Sequence, residues 1–348
     1  MHSKGHAISV SRYTSAVNRS ERIAAFQEAI WEWFAVHKRT LPWRDLVIKD
    51  DDERAYRILV SEVMLQQTQV PRVIIIYKRF LEEFPTLASL ADASNKDVIV
   101  AWRGMGYNSR ALRLRDAAKT IVETHRGHFP IEMDALLQIK GIGPYTAAAI
   151  RNFAFNIPTP CIDTNIRRIL HWVFVGPEKA DGGWTVNDRD LLEIARDVLD
   201  KALVKGDRRD QGDRRIARDA RNWHAALMDF GSLVCTKRSP KWESSPRIAA
   251  LLSKETLKKA GRQSTSISQK KEPGRFVGSR FIPNRIFRGR VIEELRDQPK
   301  GLTLEQIGSR ISVDWSEVEH REWLLGLMEK LKRDALVKNS RKKYVLHT

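Results

Sequence analysis

From Glu21 to about residue 234 the sequence returns to one pattern: apolar residues at helical spacing, then a short turn marked by Gly or Pro. Ile23, Phe26, Ile30, Trp31 and Phe34 share one helical face, and "LPWR" at 41–44 ends that segment, because Pro42 disfavours helix at the residue before it. Further helices are predicted at about 55–67, 70–83, 86–91, 95–103, 109–125, 131–138 and 144–156, separated by turns such as "EFP", "GMG" and "HFP". Three more follow near 164–174, 187–204 and 215–234. No useful period-two alternation precedes about residue 330, so the body should be all-α.

Around this body lie segments of other character. Residues 1–20 read as a flexible basic arm, and "GDRRDQGDRRIARDAR" at 206–221 as a solvated insertion or extended helix face. Residues 253–275 are polar and lack apolar periodicity, which marks a linker; positions 254–275 hold seven Lys/Arg against two Glu, a net +5. Residues 276–348 then give three helical patterns, with Thr303 capping the second, and two short strands around a basic turn at Asn339–Lys343. Three helices closed by a hairpin resemble a winged helix, a shape that binds DNA or, alternatively, protein.

A formal net charge of +18 favours a polyanionic partner, nucleic acid before an anionic membrane. Cys161 and Cys235 are the two cysteines, too few for a disulfide framework or a four-thiolate metal site. No run reaches the ~18 apolar residues of a membrane span. The polar N-terminus lacks a signal-peptide core, so the chain is expected inside the cell, in the cytoplasm and near the nucleoid if prokaryotic.

Chemistry concentrates at four places. In "QIKGIGPYTAAAI" (138–150), Gly141 and Gly143 bracket Ile142 between two helices. Glycine allows close approach and positive φ, so the turn can aim backbone amides at a phosphate with Lys140 beside it; the plain alternative is a connector. In "PCIDTNIRRIL", Asp163 sits at a helix start, either as an N-cap or as a working carboxylate. In "ILVSEVMLQQTQV" (58–70), Glu62 lies among Leu59, Val63, Met64 and Leu65, either facing solvent or held as an acid with a raised pKa. "RGMGYNSRALRL" (103–114) supplies a second Gly-x-Gly turn with Tyr107 and Arg110.

"LPWR", "SEVMLQQTQV", "GMGYNSRA", "GIGPYTAAAI", "IDTNIRRIL" and "ALMDFGSLVC", in this order over about 21–245, resemble the helix-hairpin-helix (HhH-GPD) DNA glycosylases, and among them the MutY-like adenine glycosylases. The resemblance implies a two-lobed all-α fold: 21–54 with 158–252 as one lobe, 55–157 as a six-helix lobe with its hairpin at 136–156, and the winged-helix-like α+β domain appended. It implies a monomer acting on double-stranded DNA that holds a mispaired or modified base, which is flipped into a pocket. By similarity Asp163 stabilises the cationic sugar and Glu62 protonates the leaving base. Tyr145 and Asn165 would line the base pocket, Gln67 and Tyr107 would wedge into the vacated stack, and Thr68, Arg110, Lys140, Gly141 and Gly143 would contact DNA.

Three departures shape the reading. Lyase relatives carry lysine where this chain has Tyr145, so a monofunctional enzyme leaving an abasic site is expected. Relatives ligate a [4Fe–4S] cluster through four cysteines; here Cys235 is followed by Trp242, Ser245 and Leu251, so no cofactor and no metal is expected. The nudix-like domain that checks for 8-oxoguanine is replaced by 276–348. Adenine is the first expectation for the excised base, with thymine or uracil opposite guanine, or a hypermodified base, as alternatives. A non-catalytic DNA-binding module is the alternative of another class.

Overall fold

The computed structural model describes residues 19–179, 181–203, 216–259 and 272–348. Apart from Arg19 and Ser20, the expected basic arm lies outside the described residues, as do most of the 206–221 insertion and the middle of the 253–275 linker.

The helices run in chain order as α1 (Arg19–His37), α2 (Asp51–Leu65), α3 (Val70–Glu83), α4 (Leu87–Asp92), α5 (Asn95–Ala101) and α6 (Ser109–His125). Next come α7 (Met133–Gln138), α8 (Pro144–Ala149), α9 (Thr164–Leu170), α10 (Asp188–Leu203) and α11 (Ala220–Leu233). Short helices α12 (Pro246–Ala249) and α13 (Lys254–Lys259) end the body. Both α8 and α9 run on into a wider π turn, at Ile150–Ala154 and His171–Val175. Many starts carry the cap expected of their sequence: Asp50, Ser94, Asp163 and Asp219 each accept from the backbone N–H three residues on. Among the described residues no helix is long and apolar enough to cross a membrane.

The C-terminal segment holds β1 (Gly274–Val277), β2 (Arg280–Pro283), α14 (Asn284–Arg296), α15 (Leu304–Ile311), α16 (Glu317–Arg333), β3 (Val337–Ser340) and β4 (Lys343–Leu346). Both strand pairs are antiparallel hairpins, and Leu302 bridges to Tyr344 beside the second. The order of three helices and a hairpin with exposed Arg341 and Lys342 at its tip is the winged-helix-like arrangement expected. The linker is shorter than its composition suggested. Ser253 caps α13 through Thr256 N–H (3.0 Å), and "GRFV" pairs with "RFIP" across a turn containing Gly278 at φ +57°.

The chain divides into two compact units, residues 1–44 with 144–268 and residues 45–143 with 269–348. The divisions fall earlier than 54/55 and 157/158, for visible reasons. Asp52 accepts from the Phe129 N–H and from His128, both at 2.7 Å, which ties the start of α2 to the end of the 45–143 segment. Asn152 donates to Thr159 O (2.8 Å) and meets His224 (3.3 Å), which ties the end of the α8 segment to α11.

In the first unit α1 packs on α10 and α11, and edge-on aromatic contacts join it to α11 (Phe26 with Trp223, Trp33 with Phe230) and to the π turn after α9 (Phe26 with Phe174). Asp229, fully buried, accepts from Arg39 Nε (2.7 Å), the Arg39 N–H (3.0 Å) and Arg44 Nη1 (2.5 Å). A buried carboxylate needs such paired donors, so "LPWR" and "ALMDFGSLVC" are structural partners. In the second unit Phe287, Val291, Ile292, Leu295, Leu327 and Met328 form a core that also includes Ile99 of α5 and Leu112 of α6. The winged-helix-like segment and the helices of 45–143 therefore share one apolar interior.

Candidate active site

In the first unit Asp163 has extended backbone and caps α9, its Oδ1 accepting from the Ile166 N–H at 2.6 Å. The residue is half-buried, and the partial loss of solvent pushes its pKa above the ordinary carboxylate value. The N–H groups of Ile166 and Asn165 and the charges of Arg168 and Arg167 pull the other way without reversing the shift. Arg167 is drawn aside by Asp188, which it meets at 2.7 and 2.5 Å. Capping and a working role are thus compatible in one side chain.

Asn165, two residues on, is oriented by Arg168, whose Nη2 donates to Asn165 Oδ1 (2.7 Å) and to Gly231 O (2.9 Å). A Cβ on Gly231 would stand 2.5 Å from that of Asn165, so only glycine lets α11 approach here. Arg168 was not singled out from sequence; its signal was the second arginine of "NIRRIL", which is buried although charged. Tyr145, second residue of α8, is half-buried in this unit.

In the second unit Glu62 lies on α2, 8% exposed, beside the buried Leu59, Val63 and Met64, so the solvent-facing reading is excluded. After α2 the chain turns through Gln67 (φ +56°), and after the "GMG" turn it passes through Tyr107 (φ +45°). Residues other than glycine rarely adopt this conformation, and such strain concentrates where a side chain must be presented. Both side chains are exposed.

Arg110 corrects an expectation: it is 3% exposed and is no DNA contact. It donates to the carbonyls of Val63 and Met64 (both 3.0 Å), Gln66, Met105 (3.2 Å) and Gly106 (3.3 Å), and to Thr68 Oγ1 (3.1 Å). Its guanidinium also lies 5.6 Å from the ring centres of Trp102 and Tyr107. Burial lowers its pKa to about 10, which still leaves it a cation at neutral pH. One side chain thus staples the Gln67 turn to the Tyr107 turn, and the Thr68 hydroxyl is part of that staple. The sequence showed an arginine near a turn, and nothing local distinguished a buried one from a surface one.

The hairpin turn presents Lys140, Gly141 and Gly143 to solvent while Ile139 and Ile142 are buried, as the alternation of glycine and isoleucine suggested. Gly141 has φ +102°, and a Cβ there would lie 3.2 Å from Arg113 O. Gly143 has open space and no left-handed backbone, so the two glycines differ in what they require. Gly141→Ala should therefore lower stability by about 1–3 kcal/mol and weaken binding to every duplex alike, whereas Gly143→Ala should change stability little. Thermal melting and fluorescence anisotropy measure the two effects; a binding loss confined to one mispair would make the turn a base reader.

The residues from Cys235 to Leu251, where the resemblance would put a [4Fe–4S] cluster, do not fit one. Cys235 is buried, and burial pushes its thiol up to about 12, away from the thiolate that iron requires. Trp242 instead meets Trp172 edge-on with ring centres 5.4 Å apart. Among the described residues no three His, Cys, Asp or Glu gather as metal ligands.

Residues 60–183 match the HhH-GPD superfamily of base excision DNA repair proteins. The adenine DNA glycosylase of Mycolicibacterium smegmatis is 34% identical over 275 residues, covering 79% of this chain and 82% of that one. The mouse adenine DNA glycosylase is 37% identical over 228 residues, covering 64% of this chain but 41% of the mouse protein. The chain thus spans about two fifths of the length of its mammalian relatives. A thermostable thymine-DNA glycosylase shares the fold, with TM-score 0.54 and 24% identity over 67% of this chain and 96% of that one. Endonuclease III in complex with DNA does so at TM-score 0.52 and 18% identity, over 70% of this chain and 98% of that one. On that sequence similarity the chain belongs to the adenine DNA glycosylase family of the HhH-GPD superfamily.

Proposed function

We propose that the chain is a monofunctional DNA glycosylase that extrudes a mispaired or modified base, adenine foremost, from duplex DNA and hydrolyses its N-glycosidic bond. The observation that carries this reading is Asp163, a half-buried carboxylate fixed at the start of α9 beside an oriented Asn165. As the bond to the base breaks, positive charge grows on the sugar; a preorganised carboxylate in a poorly solvated place stabilises that charge. Water then adds to the sugar and the chain releases an abasic site. Glu62, in the apolar surroundings of α2, supplies the proton that lets the base depart as a neutral molecule. Tyr145 offers a phenol where an amine would be needed to form a Schiff base, so the strand is left uncut. The chain acts as a monomer with double-stranded DNA as its partner, in the cytoplasm.

The test is base release from end-labelled duplexes that each carry one mispair or modified base, with alkali added to cut abasic sites. Release of adenine opposite guanine or 8-oxoguanine is the expected result, and strand cutting without alkali should be absent. Release confined to thymine or uracil opposite guanine would replace adenine as the substrate. No release from any duplex would overturn the glycosylase reading.

A further inference from the structure

We infer that Asp188, at the start of α10, is a positioning residue that diverts the Arg167 guanidinium from Asp163 and so keeps the Asp163 carboxylate free to act on the sugar. The inference deepens the glycosylase reading, on which it rests, and adds to it a residue outside the family blocks.

The need for a diversion follows from spacing. Asp163 and Arg167 stand four residues apart, and the Arg167 N–H donates to Asp163 O (2.9 Å) in the turn that opens α9. An acid followed by a base at this spacing is the favoured ion pair of a helix surface. Such a pair would occupy the lone pairs of Asp163 and offset the negative charge that a cationic sugar calls for. Among the described residues that pair does not form. Arg167 turns instead to Asp188 with two donors at once, Nε to Oδ1 (2.7 Å) and Nη2 to Oδ2 (2.5 Å). A planar fork on a planar carboxylate fixes direction as well as distance, so the cation is held in a set orientation.

Other tasks do not account for Asp188. The start of α10 is capped by Asn187, whose Oδ1 accepts from the Asp190 N–H (3.0 Å). As a brace between α9 and α10 the pair would be weak, because the Asp188 side chain is 58% exposed and exposed ion pairs contribute little stability. Moreover, α9 is already fastened to α11 by Arg168, which donates to Gly231 O (2.9 Å) and Cys235 O.

The remaining charges around α9 are committed or absent. Arg168 is held by those two carbonyls and by Asn165. In the π turn, His171 is buried, which lowers its pKa to about 4 and leaves it neutral at pH 7. On α11, Asp229 is occupied by Arg39 and Arg44. Arg167 is thus the cation whose place depends on one exposed carboxylate. Even when diverted it draws the Asp163 pKa downward, so removing Arg167 and releasing it must act in opposite directions.

The test uses the full chain, Asp188→Asn, Asp188→Glu, Arg167→Gln and the double variant Asp188→Asn with Arg167→Gln. Single-turnover base release is followed across pH on a duplex that the parent cleaves. Asp188→Asn frees the cation to pair with Asp163, so release on the neutral plateau should fall at least tenfold and its acid limb should move to lower pH. Arg167→Gln should hold the plateau within threefold of the parent and move the limb to higher pH. Adding Arg167→Gln to Asp188→Asn should restore the plateau to within threefold. Asp188→Glu, which keeps a carboxylate for the fork, should do likewise. A mere brace would slow both single variants and leave the double variant no faster. That pattern, or Asp188→Asn releasing base at the parental rate, would overturn the inference.

A second readout needs no base release. In NMR of isotope-labelled aspartate without DNA, the Asp163 carboxyl is identified by the signal missing from Asp163→Asn. It should titrate at lower pH in Asp188→Asn and at higher pH in Arg167→Gln than in the parent. A titration that neither change moves overturns the inference whatever the rates do. A chain that releases no base yet shows both shifts would lose the glycosylase reading and keep the diversion.

Discussion

The Asp163→Asn protein is expected to bind its substrate duplex as tightly as the parent and to release base at least about 10²- to 10³-fold more slowly, the loss that follows from removing one preorganised charge-stabilising group. Asparagine caps a helix as well as aspartate does, so the bond to the Ile166 N–H survives and the start of α9 is kept. What disappears is the charge. The sign of the stability change follows from the pKa. Burial raises the Asp163 pKa in the folded protein, so the folded state holds its proton to higher pH than the unfolded chain does. Stability from this group is therefore greatest below its unfolded pKa and declines as pH rises through the folded value. At pH 7 the buried charge costs stability, and asparagine should raise the melting temperature or leave it unchanged. The difference should shrink on acidification. In the parent, base release should fall as pH drops through an Asp163 pKa lying above the ordinary 3.8. Melting curves and single-turnover release across pH test both halves. Release at the parental rate from Asp163→Asn would end the proposed role, and a collapse in stability would make Asp163 a structural cap.

How much of this was readable in the chain depended on whether the signal was local. The helices announced themselves, because period and stop lie within one segment, and Asp163 stood out at a helix start; the start of α2, capped by Asp50, was placed about four residues late because its first turn is charged rather than apolar. Asp163 and Asn165 stood out as part of a compact block whose neighbours sit at fixed spacing. The partners of those residues did not, because they come from distant segments. Arg168 reaches across to Gly231, and Asp229 reaches back to Arg39 and Arg44, pairings that a linear reading cannot assign. The β1–β2 hairpin was hidden for another reason: four-residue strands flanked by Lys- and Ser-rich sequence carry too little alternation to rise above a linker composition.

Replacing Arg110 should show the same principle from the side of binding. A phosphate-contacting arginine on the surface, when removed, leaves stability nearly unchanged and lowers the slope of log affinity against log salt by about 0.9. Arg110 is buried beneath two strained turns and donates to six oxygens on them, so its loss should act differently. Arg110→Met fills much of the same volume but leaves buried carbonyls without donors, each costing about 1–3 kcal/mol where water cannot enter. A total loss of about 3–5 kcal/mol is expected, the range found when one member of a buried charged network is removed. Arg110→Lys should recover part of the stability but not the geometry, because one ammonium cannot span carbonyls at Val63 and Gly106 as a planar fork does. With the turns unpinned, Gln67 and Tyr107 lose the positive-φ conformations that present them. Affinity for an abasic duplex should then fall at least tenfold in Arg110→Lys, while the salt slope stays as in the parent. An unchanged melting temperature with a reduced slope would make Arg110 a phosphate contact after all. The opposite pattern would assign the wedge to a cation that never touches DNA: the charge lies under the turns, and its effect reaches the duplex through the backbone that it holds.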